Sequence, residues 1–285
     1  MVSLQIVQQS NALVGSLPQG LVALSIGATT GIGQSTLEHF AQQASSPRIY
    51  TVARPAAVAS HESLLASLRQ SRPEVTYNLI TADVSLVSEV DKVVKAVKAQ
   101  EKKLDILFLS AGFMPFEGRQ VTTEGLDPSM STRYYSRLRA VEQLIPLLNQ
   151  AKSPRIVSVL AGGLEGPIKE DDLYLRDLAN RSTWASSVQS TTMGTLALEL
   201  FARENPKLSA VHWFPGHSGT SQGQKVRHVA AERDEPGCVG CSRSVSGHEK
   251  SLTFTKARPI VVEAVVTPTP QLWLGLIALV AVDRQ

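Results

Sequence analysis

Short apolar runs alternate with longer amphipathic segments along most of the chain. Six runs are rich in β-branched residues and have the length of β-strands, at residues 21–26, 48–52, 75–80, 104–109, 155–159 and 209–213. Strands that are buried on both faces have such nearly continuous apolar runs, and the helices between them cover the sheet. The pattern therefore predicts an α/β fold, a doubly wound parallel sheet within a single domain.

Three of the intervening helices are predicted by their periodicity and end signals. Valines recur at helical spacing between residues 87 and 97, behind Ser85, whose short polar side chain suits an N-cap. A second helix is expected over residues 129–148 and a third over residues 184–204. The third should end at Asn205-Pro206, because proline cannot continue a helix.

The alternation divides the chain into three parts. Residues 1–20 form a predicted N-terminal arm, residues 21–220 the alternating domain, and residues 221–285 an irregular loop with a C-terminal segment. Residues 221–256 are polar and dense in Gly, Ser, Arg and His. A long segment of this kind is either a lid over a site or disordered, and the sequence leaves both interpretations open.

Composition and charge exclude several function classes. The chain has 285 residues, of which 43% are hydrophobic and 19% charged, as expected of a globular protein. Its formal net charge is only +3, and the basic residues do not cluster with aromatic residues, so we expect no nucleic-acid partner. The longest apolar run, residues 272–282, is shorter than the roughly 20 residues that span a bilayer, so we expect no membrane partner.

The two cysteines, Cys238 and Cys241, are too few for a disulfide framework, and residues 1–11 lack the features of a secretory signal. Both observations favour a cytoplasmic location. The cysteines lie near His228 and His248, which together supply the ligand types of a zinc site but not the spacing of a zinc finger. We therefore expect no bound metal.

A glycine-rich segment follows the first predicted strand directly and opens a helix near Gln34. Its glycines suit a tight turn, a close approach of the backbone to a pyrophosphate, and close packing of helix on strand. Free N–H groups and the dipole at the helix N-terminus favour the phosphates. The sequence thus predicts a dinucleotide site of Rossmann type. Its predicted contact residues are Gly27, Thr29, Thr30, Gly31, Ile32 and Gly33.

Arg54 follows the second predicted strand, at the place where folds that bind NAD carry an acidic residue for the ribose hydroxyls. A guanidinium at this place can bind a 2′-phosphate through paired hydrogen bonds. The expected cofactor is therefore NADP(H) rather than NAD(H). The alternative is that Arg54 is simply a solvated surface residue beside Pro55.

The spacing of Gly27, Gly31 and Gly33 resembles that of the short-chain dehydrogenase/reductase family, and three further motifs follow in the family's order. They are Ala-Asp-Val at residues 82–84, Ser-Ala-Gly at 110–112 and Pro-Gly-His-Ser-Gly-Thr at 215–220. The further cofactor residues that the resemblance implies are Asp83, Val84, Ser110, Ala111, Gly112, Pro215, Gly216 and Thr220. Among these, the aspartate is expected to contact the adenine and the threonine the nicotinamide carboxamide.

The catalytic set of the family is replaced in this chain. Family enzymes pair a tyrosine with a lysine four residues later, because the nearby cation favours the ionised phenol. No Tyr-x-x-x-Lys exists here. The position of the family's serine falls at Leu160 or Ala161, with Ser158 the nearest hydroxyl, and the position of its asparagine falls at Arg133.

The resemblance implies an NADPH-dependent oxidoreductase that acts on a small carbonyl or hydroxyl metabolite. Arg133 would polarise the substrate oxygen, Tyr134 or Tyr135 would donate a proton, and Ser158 is a further candidate. Arg133-Tyr134-Tyr135, with residues 157–163 and 204–206, further resembles fungal members that tailor secondary metabolites.

Two alternatives stay open. One is a non-redox isomerase or cyclase on the same scaffold, and the other is a catalytically inactive protein that senses NADP(H), because fold alone does not decide function. Members of the family commonly pair through two helices that flank the active site, so the resemblance also implies a homo-oligomer.

Overall fold

A computed structural model describes residues 8–9, 11–113 and 120–214, and the backbone of residues 260–262. The strands are β1 Val22–Ile26, β2 Arg48–Ala53, β3 Thr76–Thr81, β4 Ile106–Leu109, β5 Arg155–Val159, β6 Ser209–Trp213 and β7 Ile260–Val262. They form one sheet in the order β3-β2-β1-β4-β5-β6-β7. Strands β1 to β6 run parallel, which confirms the predicted doubly wound sheet.

The last strand lies within residues 221–285, for which the sequence predicts an irregular loop with a C-terminal segment. The backbone of β7 pairs antiparallel with β6. Its β-branched composition suits a strand, but so short an apolar run is ambiguous in sequence alone. The rest of this segment, with Cys238 and Cys241, lies outside the described residues, so the lid and disorder interpretations both stay predictions.

The helices lie between the strands along the chain, in the alternation that the sequence predicts. They are α1 Gly31–Gln43, α2 Val58–Ser71, α3 Val87–Gln100, α4 Ser136–Leu148 and α5 Thr183–Glu204, with short turns at Leu13–Ser16, Pro55–Ala57, Pro128–Met130 and Glu170–Asp172. A π-helix over Ser131–Tyr135 interrupts the continuous helix that the sequence predicts over residues 129–148. Such π-helical turns are frequently found at functional sites.

Helix α3 does not begin as the sequence predicts. Its N-cap is Leu86, and Ser85 lies in a preceding turn, where its N–H donates to Oδ1 of Asp83 at 3.0 Å. The N–H of Val87 instead donates to the carboxylate of Glu124 at 2.6 Å. A residue that is distant in sequence thus replaces the expected local cap, which a pattern of neighbouring residues could not reveal.

Both faces of the sheet are buried, which explains the continuous apolar runs. Val22, Leu24 and Ile26 of β1 belong to a core that includes residues of α3, α4 and α5. Ala23 belongs to a second core with residues of α1 and α2, and Val14 of the predicted N-terminal arm packs into it. Alternate residues of β1 therefore point to opposite faces, and each larger side chain contributes about 1.5–3 kcal/mol by its burial.

A buried carboxylate ties the end of α3 to β2. Glu101 accepts hydrogen bonds from the guanidinium of Arg48 at 2.8 and 2.6 Å and from the hydroxyl of Tyr50 at 2.9 Å. The hydrogen bonds from Arg48 hold the pKa of Glu101 below its usual value. The charged form of this side chain is therefore part of what stabilises the folded state.

We expect Glu101→Gln to lower the free energy of unfolding by roughly 2 kcal/mol, because it weakens charge-assisted hydrogen bonds to a buried group. Glu89→Gln is the matched control, since Glu89 of α3 pairs only with the exposed Lys92, in a contact worth less than about 0.5 kcal/mol. Urea unfolding at neutral pH measures both changes. Equal losses in the two variants would contradict the role assigned to Glu101.

Candidate cofactor and catalytic site

The glycine loop after β1 has a backbone that other residues would strain. Gly27 has a φ of 104°, and a Cβ there would lie 2.3 Å from the nitrogen of Ala111. A Cβ at Gly33 would lie 2.0 Å from the oxygen of Gly27. Glycine is required at both positions because β1, α1 and the segment after β4 approach one another more closely than a side chain allows.

The predicted Ser-Ala-Gly segment lies directly against this loop. Oγ of Ser110 donates to the oxygen of Gly27 at 2.9 Å, and the N–H groups of Ser110 and Ala111 both donate to the oxygen of Ile26. This is the switch point between β1 and β4, where successive connections run to opposite faces of the sheet. The structure thus brings together two motifs that the sequence places far apart.

The start of α1 fits the phosphates of a dinucleotide. Thr30 lies at the N-cap position, and no side chain of the described residues caps the helix there. The N–H groups of the first turn therefore remain as donors for an anion. Thr29, Thr30 and Ile32 are at least partly exposed, which leaves this turn accessible to a ligand.

Arg54 and Asp83 follow β2 and β3 at the same edge of the sheet. The carbonyl of Ala53 accepts a hydrogen bond from the N–H of Ala82 at 3.0 Å, so the two segments are direct neighbours. Arg54 is exposed and forms no ion pair within the described part of the chain. Its guanidinium is therefore available to a ligand phosphate.

The structure gives no basis for assigning cofactor contacts to some of the predicted residues. Val84 packs inward against the core that contains α3. Gly112 is exposed beside Arg133, whose Cγ would lie 3.5 Å from a Cβ at that glycine. Pro215, Gly216 and Thr220 lie outside the described residues. The predicted cofactor contacts of these residues stay predictions.

Arg137, in the first turn of α4, joins the ends of two central strands. Its side chain donates to Oγ of Ser158 at 2.8 Å and to the carbonyl oxygens of Ala111 and Val159 at 2.6 and 2.9 Å. The residue is only 6% exposed. Sequence reasoning did not select Arg137 as a site residue, although its spacing of four residues from Arg133 places both on one helix face.

Arg133 lies in the π-helix and is only 3% exposed. It donates to Oγ of Ser187 at 2.9 Å. Among the described residues, neither Arg133 nor Arg137 has a carboxylate oxygen within 4.0 Å. The negative charge of Asp127 raises the pKa of Arg133, in opposition to burial. The carboxylate of Asp127 is itself paired with the guanidinium of Arg181 at 2.6 Å.

Both guanidinium groups are buried without a carboxylate partner among the described residues, and this lowers their pKa values. Burial lowers the pKa of Arg133 to about 10. Burial, together with the positive charge of Arg133, lowers the pKa of Arg137 to about 9. Both groups remain cationic at neutral pH. The result is a buried pair of positive charges that can stabilise negative charge on a ligand.

The two predicted proton donors lie in different surroundings. Tyr135 stacks on Tyr174 with the ring centroids 5.8 Å apart, whereas Tyr134 lines a cavity beside Arg133. Burial raises the pKa of both Tyr134 and Tyr135, and the neighbouring Tyr174 raises it further. Both phenols therefore keep their protons at neutral pH and can donate hydrogen bonds, but they are poor acids and bases for proton transfer.

His212 of β6 lies beside Ser158, its partner residue in the register of β5 and β6. It is 1% exposed, and its Nδ1 lies 2.7 Å from Oγ1 of Thr195. Oγ1 of Thr195 in turn donates to Oε1 of Glu165 at 2.6 Å. His212 lies on a strand that the sequence predicts to be buried, where a fully hydrogen-bonded core histidine is expected, but Nε2 has no hydrogen-bond partner among the described residues.

One small cavity is lined by Arg133, Tyr134, Arg137, Ser158 and His212, and apolar side chains complete its walls. It has room for about one water molecule. Nη1 of Arg133, Nε of Arg137 and Nε2 of His212 are buried nitrogens that have no hydrogen-bond partner in the described part of the chain. The cavity is therefore surrounded by residues that can still bind a polar atom.

The model of the short chain dehydrogenase family matches residues 21–169. An NmrA-like family domain-containing oxidoreductase, notO, of Aspergillus sp. is 68% identical over 220 residues, which cover 77% of this chain and 67% of that protein.

The chain belongs to the short-chain dehydrogenase family.

Other relatives are more distant. An oxidoreductase of Emericella nidulans is 41% identical over 78% of this chain and 65% of its own length, and a short-chain dehydrogenase/reductase of Stachybotrys chartarum is 34% identical over 76% and 65%. The chain thus spans about two thirds of the length of these curated relatives.

Solved structures of the family share the fold. An alcohol dehydrogenase from Thermococcus sibiricus, complexed with 5-hydroxy-NADP, has a TM-score of 0.56 and 19% identity over 72% of this chain and 80% of its own. A short-chain dehydrogenase from Sphingobium yanoikuyae, in complex with NADPH, has a TM-score of 0.56 and 18% identity over 71% of this chain and 73% of its own.

None of the described helices of this chain is long and apolar enough to cross a membrane. Within the same residues, no group of three or more His, Cys, Asp or Glu side chains comes together as a candidate metal site.

The stability of the protein should depend on the protonation of His212. Burial, with a smaller contribution from the positive charge of Arg137, lowers the pKa of His212 to about 4, although Glu165 acts in the opposite direction. The unfolded chain takes up this proton near pH 6.5, and the folded protein only near pH 4. Acidification through this window therefore favours unfolding.

We expect His212→Asn to reduce the loss of unfolding free energy between pH 7 and pH 4 by on the order of 3 kcal/mol relative to the unmodified chain. His39→Asn, at a half-buried position on α1, is the control and should leave the loss unchanged. Urea unfolding across this pH range measures the difference. A parallel pH dependence in all three proteins would show that His212 is not buried in its neutral form.

Proposed function

We propose that this chain is an NADP(H)-dependent oxidoreductase that acts on a small carbonyl or hydroxyl metabolite. The observation that carries the proposal is the glycine corner formed by β1, α1 and the segment after β4, with the exposed Arg54 at the neighbouring strand end. Family membership supports the class of reaction, and the resemblance to fungal members supports a role in secondary metabolism. A homo-oligomer remains a prediction from the family.

Each part of the site has a distinct role in this proposal. The first turn of α1 binds the pyrophosphate, and Arg54 binds the 2′-phosphate. When bound, the cofactor supplies or accepts the hydride at the substrate carbon. Arg133 and Arg137 bind the substrate oxygen and stabilise its developing negative charge, while Tyr134 contributes a hydrogen bond beside them. Ser158 acts through Arg137, whose guanidinium it helps to hold.

We expect Arg54→Ala to weaken NADPH binding about 10- to 100-fold and to leave NADH binding unchanged, because only NADPH carries the 2′-phosphate. Arg203→Ala is the control, since Arg203 is exposed in the last turn of α5 and pairs with Glu199. Isothermal titration calorimetry with both dinucleotides measures the affinities. Equal weakening of NADPH and NADH by Arg54→Ala would contradict the assignment of NADP(H).

We expect Arg133→Met to lower NADPH consumption with a panel of small aldehydes and ketones about 100-fold, because it removes a donor to the substrate oxygen. Arg139→Met is the control on α4, where Arg139 pairs with Asp91 at the surface. Absorbance at the NADPH band measures the rate, and calorimetry checks that cofactor binding persists. Product formed without net NADPH consumption would instead favour an isomerase, and cofactor binding without any product would favour a sensor.

A further inference from the structure

The buried site lacks an evident source of the proton that reduction of a carbonyl requires. The family's tyrosine and lysine pair is missing, and the elevated pKa values of Tyr134 and Tyr135 make them poor proton-transfer groups. A continuous hydrogen-bonded chain of other side chains leads from the cavity toward the surface. It consists of His212, Thr195 and Glu165.

The geometry shows which atoms donate and which accept along these hydrogen bonds. Thr195 has one hydroxyl proton, which it donates to Oε1 of Glu165, so Oγ1 accepts from Nδ1–H of His212. Neutral His212 then carries its proton on Nδ1 and an accepting lone pair on Nε2. Within the described ranges of the chain Nε2 has no hydrogen-bond partner, and His212 lines the cavity. The imidazole is therefore prepared to accept a proton from a ligand there.

Glu165, at the other end of this hydrogen-bonded series, can exchange protons with solvent. Glu165 is only partly buried, and its carboxylate also accepts from the N–H of Gly163 at 3.1 and 2.9 Å. These backbone hydrogen bonds orient the carboxylate toward Thr195. A carboxylate in this position can release to solvent a proton that it receives from the interior.

We propose that Glu165, Thr195 and His212 form a proton relay that exchanges a proton with a hydroxyl or carbonyl oxygen bound beside Arg133 and Arg137. The inference rests on the proposed oxidoreductase function. It assigns catalytic contact with the substrate to His212 and a relay role to Thr195 and Glu165.

The proton transfers balance. In the oxidation direction the substrate O–H bond breaks, its electron pair stays on oxygen, and an N–H bond forms at Nε2 of His212. The Nδ1 proton passes to Oγ1 of Thr195, and the hydroxyl proton of Thr195 passes to Glu165. His212 changes tautomer but stays neutral, so the burial that opposes a charged imidazole does not oppose the transfer. Reduction runs the same steps in reverse.

The buried arginines fit this scheme. The transfer moves one negative charge from Glu165 to the substrate oxygen before the hydride leaves the neighbouring carbon. Arg133 and Arg137 have no described carboxylate that would neutralise them, so both can stabilise that charge. Two charged groups change the pKa of His212 itself: Arg137 lowers it and Glu165 raises it.

Nitrogen-15 NMR of the histidine-labelled protein at pH 7, without cofactor, tests the relay directly. We expect His212 to be neutral with its proton on Nδ1. Thr195→Val should shift the proton toward Nε2, whereas Thr195→Ser should keep it on Nδ1. Thr192→Val is the matched control, because Thr192 lies on the same helix and bonds Gly166 rather than the relay. A proton on Nε2 in the unmodified protein would overturn the proposal.

A second experiment measures turnover of the panel of small aldehydes and ketones. Glu165→Gln keeps an oxygen acceptor for Thr195 but cannot take up a proton, so we expect kcat to fall about 100-fold while the Kd for NADPH is unchanged. Thr195→Ser should restore most of the activity that Thr195→Val loses. Normal turnover by Glu165→Gln, with NADPH bound, would overturn the relay alone. Failure of the unmodified protein to bind NADPH would overturn the proposed function instead.

Discussion

The close approach of the glycine loop to the segment after β4 is the constraint on which this end of the sheet depends. Gly27 and Gly33 have no room for a Cβ, and Ser110 joins the two segments through its hydrogen bond to Gly27. Because parallel strands end at one edge, this contact also determines where the first turn of α1 points. The same edge carries Arg54, so the proposed phosphate recognition and the strand packing share one geometry.

Two buried arginines, Arg133 and Arg137, lie next to this edge of the sheet. Arg137 joins the ends of β4 and β5 through two carbonyl oxygens and Ser158, so its charge is used to hold the strands that line the cavity. Burying a charge without a carboxylate partner is costly, and neutral hydrogen bonds offset only part of that cost. Stability alone does not account for two such residues side by side. The proposed binding of a ligand oxygen that gains negative charge would account for them, because that oxygen would complete their interactions.

The altered catalytic set is consistent with this view of the interior. Loss of a lysine beside a tyrosine removes the cation that makes a phenol useful for proton transfer. Burial raises the pKa values of Tyr134 and Tyr135, and the opposing charge of Arg176 does not reverse that rise for Tyr135. In the proposed relay, proton transfer uses other groups, and His212 with Thr195 and Glu165 offers the continuous path. The π-helix that carries Arg133 places a positive charge next to that path.

The sequence by itself determined the alternation of strands and helices along the chain and the glycine loop, because local periodicity and glycine spacing report directly on burial and turn geometry. It also drew attention to Arg54 and Arg133 by their places after a strand and within a family motif. Only the tertiary structure decided the cap of α3 by Glu124, the strand-joining role of Arg137 and the partners of His212. These features join residues that are far apart in the chain, and hydrogen bonds across such distances leave no periodic signal in the order of amino acids.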